Sequence, residues 1–162
     1  MSRLTRSAAT LAGLTAASAV LATGAATVLA KSASAGRPDR GVIYFAQTYT
    51  ANGNEYAAGN GTDKLFGTGA VTYVIKAAPT PTGAVKITAK PVTTYYPNGT
   101  LTGTATGTLT PGPNGTATIT GGKITQTHGT GGQKGHSFTG TFQGTGSLTM
   151  GTYKITYKGT YR

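Results

Sequence analysis

The sequence predicts an all-β fold: an antiparallel meander of seven or eight strands, closed or partly closed into a barrel, preceded by a helical signal segment. Three observations predict it. The chain holds 26 Gly and 34 Thr in 162 residues, and threonine suits a pleated strand whereas so much glycine is costly inside helices. Apolar and polar residues alternate along several segments, as in half-buried strands. Asn-Gly pairs between such segments are typical of tight hairpin turns.

The first 35 residues have the three parts of a secretory signal peptide: two arginines, an apolar stretch at 8–30, and the small-residue motif Ala33-Ser34-Ala35. We expect cleavage after Ala35, with Ala30 as the alternative site, and a single β domain at 36–162. No second long apolar stretch follows, so no stable transmembrane segment is expected after cleavage. The predicted location is therefore extracellular or associated with the cell wall.

The charge of the mature domain is strongly positive. Loss of Arg3, Arg6 and Lys31 with the signal leaves 11 Lys and Arg against three acids, a net charge of +8. The chain has no cysteine, which excludes disulfides and thiolate-bound zinc.

The first half of the domain gives the weaker strand signals. A short polar tail at 36–40 leads into a first predicted strand at 42–45. The stretch 50–63 is rich in Asn, Gly and Ala, which predicts a loop. A nearly continuous apolar run at 71–75 predicts the next strand, which ends before Pro79.

The second half alternates more regularly. Val85, Ile87 and Ala89 share one parity, and the tetrapeptide Pro-Asn-Gly-Thr at 97–100 and 113–116 predicts two hairpin corners. The last strand is predicted by apolar residues that also share a parity: Tyr153, Ile155, Tyr157 and Tyr161.

Glycine alternates with phenylalanine at 138–144, within a predicted strand. Such glycines either open space beside large rings or mark the bends that a curling sheet needs. Repeated glycine inside strands favours the barrel, with a two-sheet β-sandwich as the alternative.

Few side chains offer catalytic chemistry. Glycoside hydrolysis uses two carboxylates, and only Glu55 and Asp63 form a plausible pair because Asp39 falls in the polar tail. Both are predicted in a loop, where carboxylates usually cap turns or stay solvated. We therefore predict no catalytic residue and no cofactor, and favour a non-enzymatic protein.

Two histidines flank one glycine-rich, basic loop, whose candidate ligand-binding residues are His128, Lys134 and His136. No G-x-S-x-G motif supports a hydrolytic triad, and no third ligand completes a metal site. We therefore expect solvated histidines and no bound metal.

Four lysines lie on the polar parity of two predicted strands and are the predicted ligand-binding residues: Lys86, Lys90, Lys154 and Lys158. Their simplest role is solubility and protection of sheet edges. The functional hypothesis is an electropositive face that binds an anionic polymer of the cell envelope or the extracellular surroundings. Nucleic acid is disfavoured because the spacing of basic and aromatic residues matches no known module. The alternatives are a barrel that carries a small apolar ligand and an enzyme acting at the barrel mouth through His128 or His136.

Overall fold

The computed structural model describes residues 35–162, so the predicted signal segment and its alternative cleavage site at Ala30 lie outside the described residues. Eight strands follow one another: β1 Arg37–Ala51, β2 Asn54–Asp63, β3 Gly67–Pro79, β4 Val85–Tyr96, β5 Gly99–Pro111, β6 Thr116–Gly129, β7 Phe138–Ser147 and β8 Thr152–Tyr161. Single turns of 3-10 helix at Pro113–Gly115 and Gly131–Gln133 lie in two of the connections.

The strands form one closed barrel. Each pairs antiparallel with its neighbour in sequence, and β8 pairs with β1 to complete the ring. The predicted meander and its closure are confirmed, and the two-sheet alternative is excluded. Closure also leaves this barrel without an unpaired edge strand.

The first two strands correct the sequence prediction. The predicted polar tail belongs to β1, which begins at Arg37, and most of the predicted loop at 50–63 is β2. The turn between them is confined to Asn52 and Gly53, whose φ angles are 51° and 71°. Small residues such as Ala57 and Gly59 have weak strand propensity, so pairing with β1 and β3 determines the structure of β2.

The predicted parities of the later strands are confirmed. Ala89 and Ile155 are buried in the barrel interior, whereas Lys86, Lys154 and Lys158 are exposed on its outer wall. The most completely buried apolar side chains are Val92 and Leu101, on the neighbouring strands β4 and β5.

Glycines inside the strands make room for aromatic rings. A Cβ on Gly122 would lie 2.5 Å from the ring of Phe142, and one on Gly140 would lie 2.8 Å from the ring of Phe138. Of the two glycines in the predicted Phe and Gly alternation, Gly140 therefore makes room for a ring, whereas Gly144 makes room for the aliphatic side chain of Ile155.

One end of the barrel is filled by the connection between β2 and β3. Leu65 and Phe66 pack against the core there, and the Phe66 ring centroid lies 4.6 Å from that of Tyr96 and 4.9 Å from that of Tyr161. We call this end, where β1 begins and β8 finishes, the plugged end. Within residues 35–162, no helix is long and apolar enough to cross a membrane.

Candidate functional site

The four predicted lysines do not share one face. Lys86 and Lys90 lie on β4, and Lys154 and Lys158 lie on β8. These two strands are four positions apart in a ring of eight, so the two pairs occupy opposite walls of the barrel. Whether any of the four binds a ligand stays a prediction.

A different set of cations comes together on the outer wall. Arg40 on β1 lies directly opposite Lys158 on β8, and Lys158 lies opposite Thr141 on β7, which in turn lies opposite Lys123 on β6. On the other side of Arg40, the Lys64 backbone N–H donates to the Arg40 carbonyl oxygen at 3.0 Å, which extends the same row to the end of β2. We call Arg40, Lys64, Lys123 and Lys158 the cationic row.

The cationic row borders one surface groove of about 840 Å³. The groove is lined by all four cations and by four threonines: Thr62, Thr120, Thr141 and Thr156. A β-bulge between Ile119 and Gly122 lies in the wall of the groove beside Lys123. Directly opposite residues in antiparallel strands are about 5 Å apart, so the row extends about 19 Å across four strand-to-strand steps.

The row is an unfavourable arrangement for stability alone. Like charges on directly opposite residues destabilise a sheet, and Arg40 faces a cation on each side. The nearby acids Asp39 and Asp63 are 4% and 8% exposed, respectively, so little of either reaches the solvent. If these cations served solubility only, they would not need to lie next to one another on neighbouring strands.

The histidine loop is tied into the plugged end. The His136 ring stacks on Tyr161 with centroids 5.0 Å apart, and its Nδ1 lies 3.1 Å from the Arg162 carbonyl oxygen. His128 is exposed on β6 and its Nδ1 lies 3.2 Å from the Thr127 hydroxyl, while Lys134 is exposed in the loop. The buried member of this loop is Gln133, which accepts a hydrogen bond from the Tyr161 hydroxyl at 2.7 Å.

A buried carboxyl pair lies inside the plugged end, and sequence reasoning missed it. Asp39 on β1 and Asp63 at the end of β2 line the same internal cavity, and Asp63 lies close enough to raise the pKa of Asp39. The predicted partner of Asp63, Glu55, lies at the opposite end of β2, about 26 Å away along the strand. The correct partner was placed in a tail because Pro38 and the charged residues around it obscured the start of β1.

The donors around the pair point mainly to Asp63. Its Oδ1 accepts hydrogen bonds from the backbone N–H groups of Leu65 and Phe66 at 2.6 and 2.8 Å, and its Oδ2 accepts one from the Tyr157 hydroxyl at 2.9 Å. Asp39 accepts the N–H of Arg40 at 2.7 Å, and the N–H of Leu65 also favours its charged form. Because more donors point to Asp63, Asp39 is the member of the pair that holds a proton more readily.

The pKa of Asp39 is displaced in the same direction. Burial, together with the hydrogen bond and negative charge of Asp63, raises the pKa of Asp39 from 3.8 to about 7. Burial first, and the charge of Asp63 second, also raise the pKa values of Tyr96 and Tyr157 above the usual tyrosine range. These tyrosines stay protonated and able to donate hydrogen bonds at neutral pH.

The pair borders an internal cavity of about 80 Å³. The lining is mostly apolar, with Val71, Ile124 and Phe142 among its members, and its polar side includes Asp39 and Asp63. This volume is about half that of an engineered cavity of 150 Å³ that holds benzene. The barrel interior is therefore mostly filled by side chains, with room for a small molecule only.

Among residues 35–162, no three His, Asp or Glu side chains come together as a metal site would require. The chain matches no protein-family model, and no curated protein and no solved structure shows significant similarity to it.

Proposed function

We propose that this protein is a secreted, non-enzymatic β-barrel that associates with anionic polymers of the cell envelope or its surroundings through the cationic row. The observation that carries the proposal is the adjacency of Arg40, Lys64, Lys123 and Lys158 around one groove. A linear polyanion lying in that groove offsets the repulsion between the four cations. In an unoccupied row, the acid that lines the same groove is Asp63, whose side chain is only 8% exposed.

Closure of the barrel strengthens this argument. Lysines on sheet edges commonly prevent association between strands, but a closed barrel leaves no edge to protect. Of the two simple roles for the lysines, edge protection is therefore removed and solubility remains. Solubility requires net charge and not a row of neighbouring cations.

The test is the salt dependence of binding to inorganic polyphosphate of defined length, measured by calorimetry with the domain 36–162 between 50 and 300 mM NaCl. Binding through four cations releases condensed counterions, so the logarithm of the association constant should fall with the logarithm of salt concentration with a slope of about −3. Affinity that does not change with salt would contradict the proposal.

The internal cavity favours a second candidate function, the binding of a small apolar molecule. A short-chain alcohol has an apolar body for Val71 and Ile124 and a hydroxyl that donates to Asp63. Ala105 is 6% exposed and lines the cavity, so Ala105→Leu should fill it. Saturable shifts of interior methyl NMR signals by 1-butanol in the wild type, lost in this variant, are the expected result. Shifts that persist unchanged in the variant would place the alcohol elsewhere and exclude this candidate.

A further inference from the structure

We infer that the polymer is an acidic polysaccharide, whose sugar rings stack on Tyr44 and Tyr49 while its acidic groups contact the cationic row. This inference rests on the proposed function and narrows the class of polymer. It is based on exposed aromatic residues on the same wall, because binding of a polyanion to the cationic row gives no reason for their exposure.

Two tyrosines on β1 are unusually exposed for their size. Tyr44 is 58% exposed and Tyr49 is 57% exposed. The Tyr49 ring stacks on Tyr56 of β2, with centroids 4.4 Å apart and planes 8° from parallel. One face of Tyr49 is thus held by a neighbouring ring, which fixes the orientation of the other face.

The tyrosines lead away from the middle of the cationic row along β1, whereas the row itself crosses the strands. Arg40 and Tyr44 lie four residues apart on β1, on the same outer parity, so they are about 13 Å apart along the strand. Beside them on β8, Lys158 and Lys154 follow the same spacing, and the Lys154 Nζ lies 5.6 Å from the centroid of the Tyr44 ring. Cations and rings therefore form one strip down the β1 and β8 wall.

The strip fits a sugar chain better than a polymer without rings. The apolar C–H face of a pyranose packs on an aromatic face, whereas polyphosphate has no ring to use the tyrosines. Hydroxyl groups also line the groove of the cationic row at Thr62, Thr141 and Thr156. Threonine hydroxyls both donate and accept hydrogen bonds, as sugar hydroxyls do.

A second groove lies on this wall beyond the cationic row. Tyr44 and Lys154 line it together with Asn60, Thr145 and Thr152. The combination of a ring, a cation and short hydroxyl or amide side chains recurs there. A polysaccharide long enough to reach from the row to Tyr49 would contact both grooves.

The experiment compares polygalacturonate with polyphosphate of matched total charge in the variant Tyr44→Ala/Tyr49→Ala. Affinity for polygalacturonate should fall at least tenfold, and affinity for polyphosphate should change less than twofold. Tyr95→Ala is the control, because Tyr95 is 44% exposed but lies on β4, on the opposite wall. It should leave both affinities unchanged, and circular dichroism of every variant should retain the strand signal.

Three outcomes overturn the inference. An unchanged affinity for polygalacturonate in the double variant excludes stacking of sugar rings on the tyrosines. An equal loss of affinity for both polymers means that the tyrosines support polyanion binding in general and do not recognise sugar rings. If single-stranded RNA binds more tightly than polygalacturonate, and this binding depends on the two tyrosines, the polymer whose rings stack on them is a nucleic acid. None of these outcomes changes the salt-dependent binding of polyphosphate by the wild type, which tests the proposed function, so the two failures are distinguishable.

Discussion

Replacing all four cations of the row by glutamine should lower the affinity for polyphosphate about a thousandfold. Each Lys or Arg close to an anionic surface contributes about 1 kcal/mol, so loss of four removes about 4 kcal/mol, and each 1.4 kcal/mol is a factor of ten. Calorimetry at 50 mM NaCl on Arg40→Gln/Lys64→Gln/Lys123→Gln/Lys158→Gln measures this loss. Stability should not fall, because the substitutions also remove repulsion between opposite residues.

A matched control separates the row from net charge. The variant Lys76→Gln/Lys86→Gln/Lys90→Gln/Lys134→Gln removes the same four charges from β3, β4 and the histidine loop. It includes two of the four lysines that the sequence predicted to bind, and we expect it to lower affinity less than tenfold. Equal losses in the two variants would mean that the polymer responds to total charge and not to the row.

Asp39→Asn should stabilise the protein at pH 8 by about 2 to 4 kcal/mol and leave it nearly unchanged at pH 4. The pKa of Asp39 rises on folding from 3.8 to about 7. Well below pH 3.8 the carboxyl group is protonated in both states and does not reduce stability. As the pH rises towards 7, only the unfolded state releases the proton, so wild-type stability falls and stays low above pH 7.

Asparagine keeps the shape of the protonated group without its titration. Its amide donates to Asp63 as the Asp39 proton does, so the variant should lack this loss of stability. The free energy of unfolding from urea titrations at pH 4, 6 and 8 measures the difference between the two proteins. A difference that stays constant from pH 4 to pH 8 would show that Asp39 is not the group that titrates.

Asp63→Asn provides the contrast within the same pair. Asp63 accepts hydrogen bonds from Leu65, Phe66 and Tyr157, and an amide nitrogen in place of one oxygen would face a donor. This variant should be destabilised at every pH. The opposite effects of two similar substitutions reflect which member of the pair carries the proton.

The fold was predictable in its second half because side-chain size alternates there. The parity of Tyr153, Ile155 and Tyr157 shows directly which face is buried, and the structure agrees. Alanine and glycine dominate β2, and their propensities do not distinguish a strand from a loop. The structure of β2 is determined by its pairing with β1 on one side and β3 on the other, and the local composition does not reveal this pairing.

The candidate sites were less predictable than the fold. Neighbours in the cationic row, such as Arg40 and Lys158, are far apart in sequence and meet only when β8 closes on β1. Asp39 was dismissed because a charged residue beside a proline is typical of a tail. A useful signal was available in the parity of β1, since Asp39, Ile43 and Phe45 fall on one face.

The most direct test of the claim that the cationic row binds the polymer is a comparison of salt slopes. The logarithm of the polyphosphate association constant is plotted against the logarithm of NaCl concentration for the wild type, the row variant and the control variant. Loss of four contacts should flatten the slope by about 3 in the row variant, while the control keeps a slope close to that of the wild type. The same flattening in both variants, or in neither, would contradict the account.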